Sequence, residues 1–208
     1  MKKINLKYTV LFLCIGLLFV SCKSDDDATT TDYSTVTVFD IFTVQSDNET
    51  VVMNGEIKSR TLQDFNNMLS GHPGIKLINM REVPGSNDDE INFQVGVKLR
   101  QNGINTHILD NGLIASGGVD LFLAGVERTR GTNTQIGVHS WSDGNGNEAT
   151  DFPVDSSEHF ANIQYYVNVG HAQEWARDFY FYTINAASAD NIHWMTAAEI
   201  TQYGLITE

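Results

Sequence analysis

Ser116 stands between Ala115 and the pair Gly117-Gly118, and the apolar run from Val119 to Gly125 follows directly. Small residues around a serine at the entry to such a run describe a strand-to-helix turn that raises the hydroxyl at a helix N-terminus. Free N–H groups and the helix dipole favour negative charge there. Ile136-Gly137-Val138-His139 reads as a short apolar strand that delivers one imidazole into a loop. A hydroxyl and an imidazole are the minimum for nucleophilic acyl transfer. Pro84-Gly85-Ser86 follows an earlier apolar strand. This predicts that the N–H of Gly85 or Ser86 and that of Gly117 meet at neighbouring strand ends and hold one developing oxyanion. The same residues also describe a tight helix–sheet packing turn with a structural histidine.

Those turns need elements to position them. Val36 to Phe39, Ile41 to Val44 and Thr50 to Ile57 have the apolar patterning of strands, as do Ile75 to Met80 and Asn105 to Leu109. Thr61 to Leu69 predicts a helix capped by Thr61, with Leu62, Phe65, Met68 and Leu69 on one face. A second helix is expected over Asp88–Gln101, acidic at its start and basic at its end. Strands alternating with helices predict an α/β domain whose active edge lies where strands end and helices begin.

The chain has 208 residues, 41% hydrophobic, enough for one domain with a real core. Its net charge of −13 argues against nucleic acid as a partner. Lys2, Lys3 and Lys7 precede an apolar stretch from Val10 to Val20 that is short for a membrane span, the pattern of a signal peptide over residues 1–21. The sequence Phe19-Val20-Ser21-Cys22 resembles a bacterial lipobox, which implies a lipidated Cys22 and an outer-membrane anchor in a Gram-negative envelope. Residues 22–35 read as a polar tether, and the run Lys23 to Asp27 is similar to acidic tags that send such lipoproteins to the cell surface. The folded domain is expected over 36–208. With Cys14 in the signal and Cys22 lipidated, that domain holds neither a disulfide nor a thiol nucleophile.

Taken together, Gly55-Glu56-Ile57, Pro84-Gly85-Ser86, Ala115-Ser116-Gly117, Ala124-Gly125, Arg128 and Gly137-Val138-His139, with Met195-Thr196-Ala197 near the end, resemble the Clp-type serine peptidases of the Clp/crotonase superfamily. The resemblance runs from about residue 50 to the end. It implies an α/β fold of repeated ββα units with a C-terminal helical segment. It also implies Ser116 as nucleophile, His139 as base, and an oxyanion hole from Gly85, Ser86 and Gly117. Ser86 stands where the family usually has a second glycine. The aspartate that completes the family's triad would fall at Ile192, which leaves nearby Asp190 as the candidate to orient His139. Relatives assemble through their C-terminal helices, which implies a homo-oligomer.

The remaining sequence adds little chemistry. Asp143, Asn145 and Asn147 alternate as in a calcium loop, but the acidic twelfth position is Val154, so a flexible loop over the catalytic edge is the better reading. Trp141 is placed to wall a substrate pocket or to join the core. Helices are expected from Ser156 to Val167 and from Ala172 to Ala186. The latter carries Trp175, Phe179, Tyr180, Phe181 and Tyr182, either buried or as an exposed contact patch. His159, His171 and His193 lack metal-ligand spacing, and no metal or cofactor is implied. Two functions follow: an exported, lipid-anchored serine hydrolase acting on a peptide or small ester, or a non-catalytic binding lipoprotein on the same frame.

Overall fold

The computed structural model describes residues 31–207. The signal peptide, Cys22 and most of the tether lie outside the described residues. Residues 32–207 belong to one compact unit. It begins before Val36, because Tyr33 packs on the core, its ring 5.9 Å from that of Phe39.

Eight strands form one mixed sheet: β1 (Val38–Phe39), β2 (Phe42–Val44), β3 (Thr50–Met53), β4 (Leu77–Val83), β5 (Asn105–Ala115), β6 (Arg128–Arg130), β7 (Gln135–Val138) and β8 (His193–Trp194). The order is β1-β2-β3-β4-β5-β7-β8, with β6 also paired to β5. β3, β4, β5 and β7 run parallel, and antiparallel partners close both edges. Parallel neighbours require crossovers, which the first three of six helices among the described residues supply. The helices are α1 (Thr61–Gly71), α2 (Asp89–Gln101), α3 (Gly117–Leu123), α4 (Phe160–Asn168), α5 (Gln173–Ala186) and α6 (Ala197–Gln202).

The apolar stripe of α1 buries Phe65 and Met68 as its spacing predicts, but Thr61 is not the cap. It is the first helical residue, and its Oγ1 accepts the Lys58 N–H at 2.9 Å. On α2, Asp88 does cap, accepting the Ile91 N–H at 3.2 Å. β5 is longer than predicted. Asp110-Asn111-Gly112 has turn composition, yet it makes a bulge, with Met80 paired to Ile108 and Glu82 to Leu113. The first half of β5 pairs with β6 and the second with β7, so the bulge carries the Ser116 end of the strand between β4 and β7. β6 and β8 escaped the sequence reading because two or three residues show no alternation. α5 takes its buried alternative: Phe179 and Tyr180 are in the core, and Trp175 donates to Tyr203 O at 2.8 Å.

Candidate active site

β4, β5 and β7 are adjacent and parallel, so their C-terminal ends share one edge. Val83 pairs with Ile114, and Ala115 with Gly137. Pro84-Gly85-Ser86, Ser116 and His139 are the residues that follow those three strands. Chain segments far apart in sequence therefore meet at one place, as the spacing predicts.

Ser116 sits in a backbone conformation that side chains rarely adopt, φ +50° and ψ −130°. Its N–H donates to Gly137 O at 3.0 Å and its carbonyl accepts the Val119 N–H at 2.7 Å, so strand and helix both hold the turn. Such a backbone costs about 1 kcal/mol or more and persists where its surroundings over-determine it. The glycines beside it are required by contact. A Cβ on Gly117 would lie 2.5 Å from Ser86 Cβ and 3.0 Å from Ser86 N, and one on Gly118 would lie 2.3 Å from Val83 O. Asn92 ties α2 to this turn by donating to Gly117 O at 2.9 Å. Gly85 comes against Ser116 itself: a Cβ there would lie 3.7 Å from Ser116 Oγ. The N–H groups of Ser86 and Gly117, brought this close, donate to no carbonyl among the described residues. The Gly85 carbonyl is occupied by the Ile57 N–H at 3.0 Å, which fixes the loop.

Ser116 and His139 line the same small cavity, about 60 Å³, with Trp141, Tyr166, Asp89 and Asp120 among its walls. His139 Nδ1 is buried without a hydrogen-bond partner among the described residues. The predicted Asp190 is not brought to it. Asp190 is exposed, in the turn closed by the Asn191 N–H on Ser188 O, because the chain between α5 and β8 swings outward there. Ser116 and His139 thus line one cavity without the predicted third member.

Sequence reading missed two carboxyl groups in this cavity. Asp120 lies one helical turn past Ser116, so i,i+4 spacing could have signalled it. Its Oδ1 accepts the Tyr166 hydroxyl at 2.5 Å, and its carbonyl accepts the Tyr165 hydroxyl at 2.7 Å. Gly96 on α2 makes room for that second bond, since a Cβ there would lie 2.1 Å from the Tyr165 hydroxyl. Burial, then the neighbouring charge of Asp89, push Asp120 up to about 7 against the opposing Tyr166 bond. Asp89, at the mouth, is raised chiefly by desolvation, with the Ser86 hydroxyl and His139 acting the other way. A carboxyl in the first turn of a helix reads as dipole support, so nothing in the sequence marked Asp89 as facing the histidine.

The other candidates resolve into structure. Asp143 accepts the N–H groups of Asn145 and Asn147 at 2.8 and 2.9 Å and closes its own loop. No group of three or more His, Cys, Asp or Glu side chains fit for a metal occurs among the described residues. His159 bonds Tyr180 and Pro153, His171 bonds Leu123 O, and His193 bonds Glu199.

No family profile and no curated protein matches the chain. Solved structures do. The ClpP protease catalytic domain from Plasmodium falciparum is 17% identical with a TM-score of 0.51, over 77% of this chain and 83% of that one. ClpP1 from Listeria monocytogenes is 18% identical with a TM-score of 0.49, over 78% of this chain and 91% of that one. A variant of that protein reaches 0.50. The 1510-N membrane-bound stomatin-specific protease, in complex with a substrate peptide, is 20% identical with a TM-score of 0.48, over 76% and 74% of the two chains. The fold is that of the Clp proteases: mixed α/β, with a central sheet and six α-helices among the described residues.

Proposed function

We propose that this chain is a serine hydrolase of Clp type, exported and lipid-anchored through Cys22, that cleaves a peptide or small ester. The observation that carries the reading is the convergence of Ser116, Gly117 and His139 on one cavity at the edge of three parallel strands, with Gly85-Ser86 packed against the Ser116-Gly117 turn. Ser116 Oγ attacks the substrate carbonyl and forms the acyl bond while His139 takes its proton. The N–H groups of Gly117 and Ser86, or of Gly85, hold the oxyanion. His139 returns the proton to the departing amine or alcohol, and water attacks the acyl-enzyme by the same route in reverse. Ser–His contacts are commonly long before substrate binds and shorten in the complex. The lysine-led apolar stretch and the Phe19-Val20-Ser21-Cys22 sequence support export to a Gram-negative envelope. The Clp-like frame supports a peptide substrate and assembly with further copies of the chain.

The unpartnered Nδ1 of His139 favours a second reading, a binding lipoprotein that keeps the frame without turnover. A fluorophosphonate probe separates the two. The hydrolase reading expects labelling that disappears in both Ser116→Ala and His139→Ala. Absence of labelling from the folded wild type selects the binding protein.

A further inference from the structure

The cavity beside Ser116 carries carboxylates and no cation: Asp89 and Asp120 line it, and no Lys or Arg does. Asp120 is also held in a particular way. Tyr165 fixes its carbonyl and Tyr166 occupies Oδ1, whereas Oδ2 receives no hydrogen bond from the described residues and is not sealed from solvent. One oxygen is therefore left for whatever enters. Val119, Val138, Ile184 and the ring of Tyr180 supply apolar wall around it. At roughly 10 to 15 Å³ per water-sized position, the cavity of about 60 Å³ takes on the order of four to six non-hydrogen atoms. A lysine side chain beyond Cβ is an apolar stem of three carbons ending in one ammonium.

We propose that Asp120 is a specificity-determining residue that selects a lysine-like, ammonium-bearing side chain on the substrate residue whose carbonyl Ser116 attacks. The inference rests on the hydrolase reading and names its substrate class. The stem lies against the apolar wall and the ammonium donates to Asp120 Oδ2, with Asp89 adding attraction at the mouth. A cation in that position offsets the burial and the Asp89 repulsion that now raise the Asp120 carboxyl to about 7. An acidic side chain meets two carboxylates and is excluded.

The test uses the full chain and peptidyl coumarin amides that differ only in bearing lysine, norleucine or glutamate at the cleaved residue. Lysine is expected to exceed norleucine in kcat/KM by at least about tenfold, the scale of one charge-assisted hydrogen bond. In Asp120→Asn the ratio falls to near one. Asn retains an acceptor for the Tyr166 hydroxyl, and a melting curve confirms the fold. A wild-type ratio near one, a glutamate preference, or a ratio that survives Asp120→Asn overturns the inference. A second arm needs no turnover: binding of n-butylammonium against 1-butanol to Ser116→Ala, read by amide NMR shifts. Preference for the ammonium that vanishes on adding Asp120→Asn supports the site even if no peptide is cleaved, in which case only the hydrolase reading falls. Equal binding of the two overturns the ammonium site whatever the turnover.

Discussion

Asp120→Asn should make the protein more stable, by an amount that grows as pH rises from about 4 to about 7. In the unfolded chain this carboxyl ionises near its ordinary 3.8, whereas in the fold burial and Asp89 hold it neutral up to about 7. Below the lower value both states are neutral and the residue costs nothing. As pH rises between the two, the unfolded chain releases a proton that the folded one keeps, and folding loses up to about 1.36 kcal/mol per pH unit. Above the folded value the loss is complete. The interval from 3.8 to about 7 sets a ceiling of roughly 4 kcal/mol. Solvent reaching Oδ2 brings the realised figure nearer to about 2 kcal/mol. Asn removes the titration and keeps Tyr166 satisfied. Urea unfolding of both proteins at about pH 4 and about pH 8 measures it, and other titrations common to both cancel in the difference. The variant should gain about 2 kcal/mol at the higher pH and under about 0.5 at the lower. Equal differences at the two pH values, or a less stable variant at pH 8, would refute the reasoning.

Two further outcomes follow from the same geometry. Ser116→Gly should melt above Ser116→Ala by the equivalent of about 1 kcal/mol, because only glycine relaxes at φ +50°, and equal melting would show the turn to be unstrained. Burial, reinforced by Arg128 and Arg100, holds His171 down at about 4 against its bond to Leu123 O. The stability its neutral form contributes is therefore whole above about pH 6.5 and lost as pH falls toward 4, and His171→Gln should flatten that acid limb of the stability curve.

Much of the frame was legible before the structure. Alternation of strand and helix predicted the parallel layer, and Asp88 announced α2. What escaped depended on distant partners. Asp110-Asn111-Gly112 has the composition of a turn, and only pairing to β4 on one side and to β6 and then β7 on the other makes it a bulge within a strand. Thr61 looks like a cap because capping is a local rule, but the Lys58 N–H claims its hydroxyl first. The aromatics of α5 allowed either burial or an exposed patch. They are absorbed because α4, Tyr203 and His171 pack on that helix from several sides, with the Trp175 ring 4.0 Å from that of His171.

The site divides along the same line. Ser116, His139 and the Gly85–Ser86 loop were readable because each is announced by its own small neighbours at a strand end. Asp190 was an inference from a partner's need, since a base wants an acid, and a need in one segment does not bend another toward it. Asp120 had the opposite history: nothing asked for it, and only its distance of one turn from Ser116 pointed to the cavity. Its placement is costly by the titration argued above; the Tyr166 hydroxyl holds the carboxyl itself, and the Tyr165 hydroxyl, given room by the glycine at position 96, fixes the backbone carbonyl of the same residue. A chain that needed only a packed helix at this point would be more stable with an apolar residue there. That a costly carboxyl is kept beside the proposed nucleophile, with Tyr166 aimed at it, argues that the charge serves what the cavity binds.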